Sequence, residues 1–319
     1  MKVVFLFPGQ GAQFKGMAMD LLESAEVKNL FNMASDILKQ DMTALLRDSE
    51  TETLMRTDIS QPAITLASLA AAACLKEKGI SPSACAGFSL GEYAAMATSG
   101  VLSTEDCFYL IGQRGSIMQA AADKLKTSDG ESPGMAAVIG LLPEDIEALI
   151  NNWKKEDPSA GIFAANFNSP KQTVVSGTAA ALAEASKRFT DAGAKRFITL
   201  KVAGPFHSPL MAEAAEKFGT VLEGITFNDP VIPLFSNVTG KEVKSGEEIK
   251  KLALAHITSP VRWTDEEKSI AGLNPDKIIE AGPGKVLQGL WKDFLSANAD
   301  GIEIPCFGAG TAAEINSLL

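Results

Sequence analysis

The chain has 319 residues, of which 46% are hydrophobic and 21% charged, with a net charge of −10. That length and apolar share support a substantial buried core in one large domain or two, and the acidic balance excludes a broad nucleic-acid footprint. Cys74, Cys85, Cys107 and Cys306 are scattered, and with only two histidines no metal-ligand spacing arises, so no metal is expected.

In chain order, Val3 to Phe7 is a continuous apolar run, as in a strand buried on both faces. It is too short for a signal-peptide core or a membrane span, so a cytoplasmic protein without a membrane partner is expected. Pro8-Gly9-Gln10-Gly11-Ala12-Gln13 follows as a loop that fits neither Gly-x-x-x-x-Gly-Lys nor Gly-x-Gly-x-x-Gly. It is either a plain strand-to-helix turn or a loop that aims a backbone N–H at a reacting oxyanion. Residues 14 to 58 read as helical with polar breaks. Pro62 is expected to open an Ala-rich helix from Ala63 to about Lys78, with Ser60 as its cap.

A short strand at Ala84 to Ala86 runs into Gly87-Phe88-Ser89-Leu90-Gly91, a Gly-x-Ser-x-Gly pattern. Two glycines allow a sharp strand-to-helix turn that lifts the Ser89 hydroxyl and points the first helical N–H groups at whatever it attacks. The pattern alone also describes an ordinary turn serine. The next helix, about Thr104 to Ala122, carries an apolar stripe of Cys107, Leu110, Ile111, Ile117, Met118 and Ala121 with Arg114 in its middle. A desolvated guanidinium needs a partner. Either Glu92 pairs with it internally, or Arg114 is a bidentate seat for a substrate carboxylate.

Residues 126–204 change character. Asp129 to Gly134 reads as a linker, and β-α-β-β-α-β follows, with strands near 135–139, 161–167, 172–176 and 195–202 and helices near 143–154 and 178–192. That order implies a ferredoxin-like α+β insertion into a larger α/β unit, giving a core of 1–125 and 205–319 around an insertion of 126–204. His207 comes directly after it, with Ser208-Pro209 as a cap and first position of a helix to about Leu222. A helix N-terminus favours neutral imidazole, the form a general base needs. If Ser89 needs a histidine, only His207 or His256 can supply it. The remainder reads as a strand at 231–236, helices at 247–258, 265–271 and 286–295, and a short strand at 277–280.

Taken together, Phe7-Pro8-Gly9-Gln10-Gly11, Gln61-Pro62-Ala63, Gly87-Phe88-Ser89-Leu90-Gly91-Glu92, Arg114-Gly115, Asn166-Phe167-Asn168-Ser169-Pro170, His207, Asn237-Val238-Thr239-Gly240, Pro260-Val261-Arg262-Trp263 and Glu280-Ala281-Gly282-Pro283-Gly284 resemble the malonyl-CoA:acyl-carrier-protein transacylase family of bacterial type II fatty-acid synthesis. The resemblance spans nearly the whole chain. It implies an α/β-hydrolase-like core with the ferredoxin-like insertion and an active site in the groove between them. Ser89 would be the acyl-carrying nucleophile, and His207 its base and later acid. The backbone N–H groups of Gln10 and Leu90 would form the oxyanion hole, Arg114 would grip the malonyl carboxylate, and the His256 carbonyl would orient His207. Malonyl-CoA and holo acyl carrier protein would be the partners, with no metal or redox cofactor, and a monomer is expected.

Two residues depart from the family pattern. Phe88 stands where histidine is frequent, and His256 where glutamine is common. The His256 side chain itself would then be a satisfied or solvent-facing histidine. Phe206 resembles the phenylalanine of malonyl-selective polyketide acyltransferases, which disfavours an α-methyl branch. An acidic carrier requires a local basic patch, for which Lys187, Arg188, Lys195, Arg196 and Lys285 are candidates. The competing readings are a trans-acting polyketide acyltransferase, a carrier hydrolase, and a plain esterase that would use Ser89, Asp229 and His256 in that order. A catalytically silent carrier-binding module is a further alternative, which the intact Ser89, His207 and Arg114 argue against.

Overall fold

The computed structural model describes residues 1–126, 132–297, 301 and 303–319; Asp129, Gly130 and Glu131 of the expected linker lie outside the described residues. Strands are β1 (Val3–Phe7), β2 (Ala84–Gly87), β3 (Gly134–Ile139), β4 (Ile162–Ser169), β5 (Gln172–Gly177), β6 (Arg196–Thr199), β7 (Leu234–Ser236), β8 (Lys241–Val243), β9 (Lys277–Glu280) and β10 (Cys306–Gly308). They form a six-stranded sheet in the order β10-β9-β1-β2-β7-β8 and a four-stranded sheet in the order β4-β5-β3-β6. The larger sheet is parallel except for the β7–β8 hairpin.

β1 lies at the centre of the larger sheet, and its side chains alternate between two cores. Val3, Phe5 and Phe7 join helices Thr57–Glu77, Gly91–Thr98 and Thr104–Lys124 on one face. Val4 and Leu6 pack with Trp263, Leu287, Trp291 and Phe294 on the other. A strand covered on both faces has to read as an unbroken apolar run, which is why Val3 to Phe7 shows no alternation.

The smaller sheet has wholly antiparallel neighbours, and its strand order is that of a ferredoxin-like β-α-β-β-α-β unit. Helices Pro143–Glu156 and Ala179–Asp191 cover one face through Ala136, Val138 and Val175. The opposite face sends Met135, Ala137 and Val174 into the main core. β4 is also tied to the segment just before helix Trp263–Gly272 by backbone bonds from Phe167 N to the Val261 carbonyl and from Val261 N to the Ala165 carbonyl, both 2.8 Å.

Some boundaries differ from the sequence reading. The Ala-rich helix starts at Thr57, so Pro62 lies inside it and Ser60 does not cap it. Gln119 provides the reason: its Oε1 accepts the Thr57 N–H at 2.9 Å, replacing a local cap with one from a distant helix. This helix is long and apolar enough to cross a membrane, but most of that stretch is buried within the protein. The strand expected from Val231 begins at Leu234, and Val231 is exposed. The three-residue strands β8 and β10 and helix Ala312–Asn316 carry no periodic signal and were not anticipated.

Candidate active site

β2 ends at Gly87 and the following helix begins at Gly91, leaving Ser89 on the turn with φ of +51°. A Cβ at Gly87 would lie 2.1 Å from the Gly91 carbonyl, and one at Gly91 would lie 2.2 Å from the Phe7 carbonyl oxygen. Both positions therefore exclude any side chain, and the helix sits directly against the strands. The left-handed conformation at Ser89 is strained for a residue with a Cβ. It is held by a 2.6 Å hydrogen bond from the Ser89 N–H to Asn237 Oδ1.

The Ser89 hydroxyl lies 2.8 Å from His207 Nε2. On the far side of that ring, Nδ1 donates to the His256 carbonyl at 3.0 Å. A carbonyl can only accept, so Nδ1 carries the hydrogen and Nε2 presents its lone pair to the hydroxyl. The plain-esterase alternative fails here: Ser89 is paired with His207, while Asp229 Oδ1 accepts the Gly246 N–H.

The cause of the neutral imidazole differs from the expected one. Pro209–Met211 is a single 3-10 turn, the α-helix begins at Ala212, and the Ser208 hydroxyl donates to the Pro205 carbonyl instead of capping. Burial pushes His207 well below its ordinary pKa, and the neighbouring His256 and Arg114 add to the effect.

Arg114 is 1% exposed. Its Nη1 donates to Gln61 Oε1 at 2.8 Å, and its guanidinium carbon is 5.5 Å from the Tyr93 ring centre. Among the described residues Nε and Nη2 have no hydrogen-bond partner. Burial lowers the Arg114 pKa despite the neighbouring Tyr93 and Glu92, yet a guanidinium remains charged. The internal salt bridge with Glu92 is not formed, because both Glu92 oxygens are engaged elsewhere. Oε1 accepts the Asn237 N–H at 2.7 Å, and Oε2 lies 2.7 Å from His256 Nδ1, at ion-pair distance but out of line for a hydrogen bond. Arg114 therefore presents unpaired donors in the cleft that Ser89 and His207 line.

Asn237 stands in the sequence only as part of the Asn237-Val238-Thr239-Gly240 segment of the resemblance, with no role attached to it. Besides holding Ser89, its Nδ2 donates to the Gly87 carbonyl and to Glu266 Oε1, both at 2.6 Å. Burial first, and Glu92 second, push the Glu266 carboxyl well above its usual range, so this buried acid is neutral. The His256 side chain is neither solvent-facing nor simply hydrogen-bonded. It is fully buried and stacked on His207, with ring centres 4.9 Å apart.

The cleft is about 180 Å³ and lies between the two sheets. Gln10 and Leu90 border it, and neither of their N–H groups donates to another protein group among the described residues. Phe206 forms part of its wall, and Phe88 packs edge-on against Trp263 at 5.3 Å. Among the described residues no group of three or more His, Cys, Asp or Glu is placed to hold a metal ion.

Of the expected basic patch, Lys187 and Arg188 belong to the helix covering the far face of the smaller sheet. Both are tied to carboxylates there, Lys187 to Asp191 and Arg188 to Glu184 and Glu156. Lys285 precedes the cleft residue Val286 and pairs with Glu314 at 2.9 Å. Lys195 and Arg196 are exposed, as is Lys201, which lies between the cleft residues Leu200 and Val202.

Comparison with known proteins matches this architecture. An acyl transferase domain model covers residues 4–306. The chain is 38% identical to the malonyl CoA-acyl carrier protein transacylase of Bacillus subtilis over 292 residues, 91% of this chain and 90% of that protein. It is 40% identical to that of Haemophilus influenzae over 294 residues, 91% of each. Among solved structures, an acyl carrier protein S-malonyltransferase from Vibrio cholerae superposes with a TM-score of 0.90 at 34% identity over 100% of both chains. A malonyl-transacylase in complex with its type II polyketide acyl-carrier protein superposes equally well, with a TM-score of 0.90 at 34% identity over 100% of this chain and 99% of the other. The chain belongs to the acyl transferase domain family and aligns over nearly its full length with the malonyl CoA-acyl carrier protein transacylases.

Proposed function

We propose that this enzyme transfers a malonyl group from malonyl-CoA to the phosphopantetheine thiol of acyl carrier protein through a malonyl ester on Ser89. The observation that carries the assignment is Arg114: a buried guanidinium with two unpaired donors in the same cleft as a Ser–His pair. A substrate with a carboxylate at its free end supplies the missing acceptors, and an acetyl group does not.

The reaction runs in two halves. Ser89 Oγ attacks the thioester carbonyl as its proton passes to His207 Nε2. The oxyanion is received by the N–H groups of Gln10 and Leu90. The carbon–sulfur bond breaks, and the CoA sulfur takes the proton from His207. The carrier thiol then gives its proton to His207 and attacks the malonyl ester; the bond from the acyl carbon to Ser89 Oγ breaks, and Oγ takes the proton back from His207. Thioester and ester are close in energy, so transfer is reversible and the site has mainly to exclude water. No cofactor takes part in these steps.

The core of 1–125 and 205–319 supplies the nucleophile and base in this reading, and the insertion of 126–204 closes the groove over the malonyl group. Phe206 narrows the wall against an α-methyl branch. Lys201, Arg196, Lys195 and Lys285 present positive charge to an acidic carrier, while Lys187 and Arg188 do not contribute. The setting is cytoplasmic fatty-acid synthesis. A discharge assay tests the assignment: holo-carrier protein mixed with the purified malonyl-enzyme should become malonylated as the enzyme returns to its free mass. A malonyl-enzyme that loses its acyl group only to water would instead make this a carrier hydrolase.

A further inference from the structure

The steps above use His256 only through its backbone carbonyl, yet its side chain occupies a demanding position. The ring is 0% exposed, is stacked on His207 with an interplanar angle of 29°, and places Nδ1 2.7 Å from Glu92 Oε2. An apolar residue could fill the same space without desolvating two polar groups. The second oxygen of Glu92 accepts the Asn237 N–H, and the Asn237 side chain holds the Ser89 N–H. One carboxylate thus links the turn that carries the nucleophile to the ring that covers the base.

We propose that His256 is a positioning residue for the His207 base, its ring clamping one face of His207 while its pairing with Glu92 places positive charge beside His207 that opposes protonation of that base. The inference rests on the reading of His207 as the partner of Ser89. The ionisable groups around the pair come from three helices: Glu92 and Tyr93 from Gly91–Thr98, Cys107 and Arg114 from Thr104–Lys124, and Glu266 from Trp263–Gly272. Burial raises Tyr93, Cys107 and Glu266 and keeps them uncharged. Arg114 is the other cation, acts on His207 in the same direction, and remains in place when His256 is changed.

The chain has two histidines, so imidazole NMR resolves both, and each variant at position 256 leaves His207 alone in the spectrum. His207 in folded His256→Gln should titrate about one pH unit higher than in the wild type. The acid limb of Ser89 acylation should move upward with it, with the rate recovered at alkaline pH. His256→Phe keeps an aromatic ring over His207 without the charge, and should shift the titration likewise. An unchanged His207 titration in either folded variant overturns the proposal, even if the melting temperature falls. A wild-type His256 ring that is uncharged while His207 is uncharged overturns it without any variant. The titration needs no substrate, so failure to load malonyl would count against the proposed function and leave this result standing.

Discussion

Asn237 Oδ1 accepts the backbone N–H of Ser89 at 2.6 Å, across 148 residues of sequence. The bond holds Ser89, the proposed nucleophile, in its strained left-handed conformation. The same side chain donates to the Gly87 carbonyl, so the start and the middle of the turn hang on one amide. Asn237→Ala should slow Ser89 acylation by about 10- to 100-fold, the kinetic equivalent of one or two lost buried hydrogen bonds. It should also lower the melting temperature while leaving KM for malonyl-CoA little changed. Stopped-flow loading and calorimetry read both effects.

Arg114→Ala should cost malonyl loading about 10²- to 10³-fold and leave acetyl loading equal or faster, since only malonyl uses the guanidinium. The same change removes a buried charge with two unpaired donors, so the variant should melt at or above the wild-type temperature. Parallel loading rates with the two thioesters and a thermal melt check this.

The pH behaviour follows from the depressed His207. A free histidine takes up its proton near about pH 6.5, whereas burial keeps His207 neutral to lower pH. Acylation should therefore hold its plateau through that pH and fall only below it. Stability falls in the same direction but begins to do so at higher pH. As pH drops below about 6.5 the unfolded chain binds a proton that the folded chain refuses, so this group's contribution is lost with falling pH. A rate profile and denaturant melts from pH 5 to 8 test the two limbs.

Glu266 behaves as a buried neutral acid whose Oε1 accepts from Asn237. With its folded pKa raised, its contribution to stability is full below the unfolded value of about 4.5 and is lost as pH rises above it. Glu266→Gln keeps the acceptor and removes the titration. It should leave stability unchanged near pH 4.5 and raise the melting temperature increasingly toward pH 8.

Much of the site was legible because each signal was local. The Ser89 turn needs two glycines at fixed spacing, and Arg114 breaks a stripe that helical periodicity makes visible. His207 stood out because the chain has one other histidine. Asn237 and Glu92 lie in segments of the resemblance, but nothing local shows what they contact. Asn237 reaches Ser89, and Glu92 reaches Asn237 and His256, across long stretches of chain, and an isolated asparagine or glutamate carries no period. The start of the Thr57 helix was misplaced for the same reason, since its cap, Gln119, lies 62 residues away. Lys187 and Arg188 read as basic in sequence, but only the layering of helices over the smaller sheet reveals that they face away from the cleft.

The central claim is a malonyl ester on Ser89 selected by Arg114. Intact-protein mass spectrometry after brief exposure to malonyl-CoA, acetyl-CoA and methylmalonyl-CoA tests it most directly, with Ser89→Ala and Arg114→Ala alongside. A malonyl adduct that maps to Ser89, vanishes in Ser89→Ala and weakens in Arg114→Ala is the expected result. No adduct from any donor, or acetyl loading equal to malonyl in the wild type, would contradict it.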